Sequence, residues 1–189
     1  MNVDGEPLTV VIDDWFPFYK DKNGDEKFCF ARNKAGETSD GEGEIWVQLL
    51  EKAWAKVCGS YEASEMGTAA EALNNIDGTP TQTFFMDQVE RRGEQALLWD
   101  ALEEADADRY VATCSIDSNV RSNVETLKEF GLCDFHSYTM MQCLAVKLYP
   151  NGKQYRYLMQ LRNPWGKKEW LGPWSDYSNT WDKYPHVDQ

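Results

Sequence analysis

An α+β fold is predicted for this 189-residue chain, with helices toward the N-terminus and an antiparallel sheet toward the C-terminus. Three observations carry that prediction. Apolar residues recur at helical spacing between positions 44 and 57. Two long strand-like runs, 136–149 and 154–162, flank Pro150-Asn151-Gly152. A content of 42% hydrophobic and 13% aromatic residues is enough to build a core, which excludes global disorder.

Taken in order, residues 8–13 carry the β-branched run Val10-Val11-Ile12 and are expected to form a strand. A second strand is expected over 27–31, after the turn at Asn23-Gly24. Residues 33–43, rich in glycine and acids, are read as a surface loop. The stretch 44–57 places Trp46, Leu50 and Trp54 at i, i+4 and i+8, with Leu49, Ala53 and Val57 on the adjoining row. Gly59 is suited to end that helix in a left-handed conformation. A second helix is expected over 89–105, and 110–116 reads as a buried strand. The last two runs form a hairpin, because Asn-Gly after Pro is a turn whose left-handed positions suit strand reversal.

Charge and composition exclude several functions. The chain has 19 basic against 32 acidic residues and a net charge of −13. Phosphate binding needs a basic surface, so neither nucleic acid nor an anionic membrane is expected as a partner. The acid excess leaves room for a cation site. No run of about 18 apolar residues marks a membrane span, and the N-terminus lacks the basic start and apolar run of a secretory signal. Five scattered cysteines (Cys29, Cys58, Cys114, Cys133 and Cys143) contain no CxxC pair. They are expected to be reduced, mostly buried thiols of a cytoplasmic protein rather than disulfides or zinc ligands. Asp21, Asn23 and Asp25 begin with the spacing of a calcium loop. Its sixth and twelfth positions hold Glu26 and Arg32 instead of Gly and Glu, so a solvated turn is the better reading.

The hairpin brings chemistry together. His136 stands fifteen residues before Asn151 and Asn163 twelve after it, so both fall at one end of the sheet within the slack of a bulge or two. An amide oxygen accepting an imidazole N–H fixes the tautomer, leaving the other nitrogen to hold a nucleophile's proton; thiol proteases use this arrangement. On spacing alone, a histidine at a strand edge is the better reading.

The surrounding segments resolve that choice. Arg162-Asn163-Pro164-Trp165-Gly166, followed by Glu169-Trp170-Leu171-Gly172 and Trp174-Ser175-Asp176, resembles the asparagine segment of the calpain cysteine protease family. Three further blocks resemble calpain segments in the same order. These are residues 10–14, residues 49–57 with Gly59-Ser60-Tyr61-Glu62-Ala63, and Cys114-Ser115-Ile116-Asp117. Together they cover about residues 8 to 182. The resemblance implies a papain-like fold of the calpain type, in its second core subdomain. It further implies that His136 is the catalytic histidine and Asn163 its orienter. Trp165 would shield their hydrogen bond, and Gly67 would contact the substrate backbone. Glu169 and Asp176 would be two carboxylate ligands of a calcium site.

Departures from the family's pattern are equally definite. The Gly-Asp-Cys-Trp segment that carries the nucleophile in calpains is absent from these 189 residues, and no cysteine stands in a comparable context. Phe135 replaces the glycine that usually precedes the histidine, and His-Ser-Tyr replaces His-Ala-Tyr. The acidic segment that would complete the calcium shell is also missing, so the site is expected to be incomplete. The chain is therefore expected to be the histidine/asparagine half of the core, residues 1–189, without its cysteine subdomain. Its function would be calcium-dependent limited proteolysis of protein substrates once the missing half is supplied. The competing expectation is a catalytically inactive module serving protein–protein contact. In either case the missing subdomain or another protein should cover the cleft face.

Overall fold

The computed structural model describes residues 1–31, 45–116 and 124–187. The loop expected at 33–43 lies outside them. The chain divides into two compact units, Met1–Thr83 and Phe84–Gln189.

In the first unit, β1 (Asn2–Val3) pairs with β2 (Glu6–Pro7), and β3 (Phe18–Lys20) with β4 (Glu26–Phe28), both antiparallel. The turn joining β3 to β4 is closed by Asp21, whose carboxylate accepts the N–H of Asn23 at 2.8 Å and of Asp25 at 3.1 Å. That carboxylate serves its own backbone, as expected of a solvated turn. The strand expected over 8–13 does not form. Val11 is 72% exposed, and no neighbouring strand offers a hydrogen-bond ladder to this segment among the described residues. It is tied instead to α1 (Trp46–Cys58): Lys56 donates to the Val11 carbonyl at 2.6 Å, while Lys52 bonds Asp13 and the Trp15 carbonyl. Helix α1 ends as expected at Gly59, with φ +102. A helix not anticipated, α2 (Ala69–Asp77), starts where the Thr68 side chain accepts the Glu71 N–H at 3.2 Å.

The second unit holds α3 (Met86–Arg92), α4 (Gln95–Ala107), β5 (Thr113–Ile116), α5 (Val124–Glu129), β6 (His136–Lys147), β7 (Tyr155–Arg162) and α6 (Thr180–Lys183). Helices are therefore not confined to the N-terminal part. The single helix expected over 89–105 is two, broken at Gly93 (φ +68), where the chain turns left-handed and cannot propagate the helix. The sheet has the order β5-β6-β7, all antiparallel. Its edge strand β5 is exposed at three of four positions, and Tyr110 and Val111 before it are exposed as well, so the expected buried strand is a shorter, exposed one. The expected hairpin is present, with one bulge between Met140 and Gln142.

Helix α4 lies against β6. Asp106 accepts the Cys143 N–H at 3.1 Å, and Trp99 packs on Tyr157 with ring centroids 4.7 Å apart. Among the described residues of this unit, Val89, Gly131, Cys133, His136, Tyr138, Cys143, Leu148 and Gly172 are buried. All five cysteines are free, but only Cys133 and Cys143 are buried, so the expectation of mostly buried thiols does not hold. No helix among the described residues is long and apolar enough to cross a membrane.

Candidate active site

β6 delivers His136 as its first residue, paired across to Ile116 of β5. At 6% exposure the imidazole is sheltered by the sheet rather than free in solvent. Asn163 follows the last residue of β7, and the hairpin returns it to the same end of the sheet. His136 Nε2 and Asn163 Oδ1 are 2.8 Å apart. The juxtaposition expected from residue spacing is therefore present.

The turn after β7 fixes which way the amide points. Asn163 Nδ2 donates to the carbonyls of Lys167 (2.6 Å) and Lys168 (3.0 Å), while Oδ1 also accepts the Trp165 N–H at 3.0 Å. Both N–H bonds of the amide are thus engaged, and only its oxygen faces the histidine. An oxygen must receive a proton, so Nε2 carries the hydrogen and Nδ1 is the unprotonated nitrogen of the neutral ring. Nδ1 makes no hydrogen bond among the described residues. The Trp165 ring lies over the imidazole, with centroids 3.9 Å apart and planes inclined by 36°. Indole cover of this kind limits water at the hydrogen bond and strengthens it by lowering the local dielectric.

Two contributors escaped sequence reasoning. Tyr138 meets the imidazole edge-on, with ring centroids 4.8 Å apart at 83°, and its hydroxyl accepts the N–H of Cys133 at 2.9 Å. The alternation His-x-Tyr on a strand places both side chains on one face, a signal available in the sequence. Gly131 is the other. It holds φ +74 where the chain passes the 169–171 segment, and the Leu171 N–H donates to the Phe130 carbonyl at 2.9 Å. Phe130 and Trp170 stack beside this bond with centroids 5.2 Å apart.

Phe135 keeps a left-handed backbone, φ +49, with 56% of its surface exposed. For a side chain bearing Cβ that conformation costs about 1–2 kcal/mol, part of which is offset because glycine loses more entropy on folding. Phe135→Gly is therefore expected to raise stability by about 0.5 kcal/mol. Phe135→Val should lower it by about 1 kcal/mol or more, since branching at Cβ worsens the same clash. Urea denaturation of the two variants checks the sign of each.

The remaining residues implied by the resemblance lie on other segments. Gly67 lies in the first unit, exposed in the connection between α1 and α2, where an added Cβ would meet nothing within 4 Å. Glu169 and Asp176 are exposed on the segment between β7 and α6. Asp176 borders an open hollow with Ser178, Asn179, Trp181 and Asp182, and Glu169 is not among its lining residues. Among the described residues no three His, Cys, Asp or Glu side chains converge to hold a metal ion.

The five thiols differ in their surroundings. Burial pushes the Cys114 thiol up even though part of the residue reaches the surface. Cys143 is pushed up by burial and, secondarily, by the carboxylate of Asp106. Cys133 is 3% exposed. Cys58 closes the C-terminal end of α1, the end that bears partial negative charge. Cys29 is exposed and follows the short strand β4 of the first unit.

Fold and constellation together define a class: an α+β protein with an imidazole held in one tautomer by an amide, under an indole. Sequence similarity makes the assignment specific. The model of the calpain family of cysteine proteases matches residues 1–189, and the chain belongs to that family. It is 37% identical to mouse calpain-9 over 176 residues, which are 93% of this chain and 23% of that protein. With human calpain-14 it shares 36% identity over 184 residues, 94% of this chain and 23% of that protein. With the maize calpain-type cysteine protease DEK1 it shares 32% over 201 residues, 99% of this chain and 8% of that protein. The chain thus spans less than a quarter of the length of these curated relatives.

Proposed function

We propose that these residues form the histidine/asparagine half of a papain-like, calpain-type endopeptidase core. The observation that carries the reading is the 2.8 Å contact of His136 Nε2 with an Asn163 amide whose orientation is fixed by two backbone carbonyls. In this reading Nδ1 of His136 takes the proton of a thiol, and the thiolate attacks a peptide carbonyl. The same nitrogen then returns the proton to the leaving amine, which departs as the acyl-enzyme forms. Water, deprotonated by Nδ1 in turn, releases the second product. Asn163 holds the ring in register throughout, and Trp165 keeps solvent from the bond between them.

The thiol has to come from a cysteine-bearing segment outside these 189 residues. That segment would sit over the face carrying His136, Phe135 and Trp165, with an extended protein substrate between the halves and Gly67 admitting its backbone. Exposed apolar surface at Phe135 (56%) and Trp165 (60%) favours a covered face. Calcium enters this reading only through Glu169 and Asp176, which need oxygen donors from elsewhere to hold the ion. No step of the mechanism is routed through it.

A second reading, a calpain-fold module kept for protein contact, is favoured by one observation. An exposed, left-handed Phe135 stands immediately before the histidine, where its ring would narrow the approach of a substrate. Both readings expect the purified chain to leave peptide substrates uncut, with or without calcium. Turnover by the chain alone that a thiol-specific inhibitor stops would refute them together. Adding a calpain cysteine subdomain separates the two: cleavage of a fluorogenic peptide supports the protease half, and tight association without cleavage supports the module.

A further inference from the structure

Two rings bear on the His136 imidazole. Trp165 stands on a loop and is 60% exposed, whereas Tyr138 lies two residues on along β6 and is 5% exposed. The buried ring is the better restraint, because packing leaves it no alternative rotamer. Its hydroxyl oxygen also accepts the Cys133 N–H at 2.9 Å, and Cys133 opens the segment that leads through the left-handed Phe135 into His136. A conformation as unfavourable as φ +49 at phenylalanine persists only where its flanks over-determine it. On one flank β6 pairs with β5 from His136 and with β7 from Thr139; on the other, the bond to Tyr138 acts together with the Leu132 N–H donated to the Leu127 carbonyl at 2.8 Å. Burial pushes the Tyr138 phenol up, so it is the neutral hydroxyl that accepts the bond.

We propose that Tyr138 is a positioning residue for His136. Its hydroxyl staples the segment that delivers the histidine, and its ring edge stops the imidazole from turning about χ2, so that Nε2–H stays on Asn163 and Nδ1 stays available. This rests on His136 being the acid–base group, but its consequences are visible without catalysis. A ring held by Asn163 alone can turn over and break that single hydrogen bond, after which neither tautomer is selected. With Tyr138 against it, rotation requires displacing a buried side chain.

The chain has two histidines, His136 and His186. In a His186→Gln background, long-range 1H–15N spectra therefore report His136 alone. At neutral pH the parent should show the Nε2-protonated tautomer. Tyr138→Phe keeps the ring and removes the acceptor: amide exchange at Cys133 should rise by about tenfold or more while the tautomer is retained. Tyr138→Leu removes both contacts, and the two tautomers should then be populated to a comparable extent. Unchanged amide protection along β7 shows that the fold has survived. Should the leucine variant not fold, Cys133 exchange in the phenylalanine variant decides. Exchange there equal to the parent's, or an Nε2 tautomer retained in a folded leucine variant, overturns the proposal. Failure of the protease reading would show elsewhere, as no cleavage when a cysteine subdomain is added, and would leave these spectra as described.

Discussion

With a cysteine subdomain supplied, His136→Ala is expected to lower kcat for peptide hydrolysis by about a thousandfold or more, with KM little changed. The imidazole moves the proton in both chemical stages and contributes little to holding the ground-state peptide, so its loss falls on the transition state. Asn163→Ala should cost less, about a hundredfold in kcat, because the base remains and only its tautomer and rotamer are released. The order of the two effects is the informative part. Single-turnover measurements that find His136→Ala within tenfold of the parent would remove His136 from the chemistry. The Nε2–H tautomer would then carry no functional meaning in this chain.

Gly131→Ala should lower the stability of the second unit by about 3 kcal/mol. Two penalties combine at this position. The backbone sits at φ +74, and an added Cβ would run into the Glu169 carbonyl oxygen with Leu171 Cγ only 3.0 Å away. A flexible side chain could move aside, but a backbone carbonyl in a segment tied by the Leu171–Phe130 bond cannot without dragging the loop that ends β7. Gly93 provides the internal control. It has a similar φ of +68 with nothing within 4 Å, so Gly93→Ala should cost only the left-handed strain, about 1 kcal/mol. Urea midpoints for the two variants decide. Equal losses would mean that the close approach at Gly131 is not a constraint on the fold. Because the same loop carries Asn163, the Gly131 variant should also loosen the His136 tautomer, while the Gly93 variant should not.

Particular elements show how far the sequence could be read. Helix α1 and its end at Gly59 followed from apolar spacing and a glycine stop, since both are local properties of a dozen residues. The β6/β7 hairpin followed from Pro150-Asn151-Gly152 between two apolar runs. Two features were legible but passed over. Thr68-x-x-Glu71 is a helix-start signature that marks α2, and Gly93 marks the break between α3 and α4. The failure at 8–13 is of another kind. A β-branched run specifies that a segment can be extended, not that a partner strand lies beside it, and here Lys56 of α1 takes the Val11 carbonyl that a ladder would have used.

The candidate site divides along the same line. The sequence by itself determined that His136 and Asn163 share one end of a sheet, because hairpin register is arithmetic about a turn, and the single bulge at Met140/Gln142 lies within its tolerance. It also determined the family, through ordered blocks of residues that the family match bears out. Only the tertiary structure decided which nitrogen of His136 carries the proton. That depends on where the Asn163 Nδ2 donors go, and they go to the Lys167 and Lys168 carbonyls of a turn whose backbone conformation no periodicity encodes. The Cys133–Tyr138 hydrogen bond and the close approach at Gly131 were hidden for the same physical reason. Each is a close contact with a segment remote in the chain or bent back on itself, and such contacts exist only after the chain has folded.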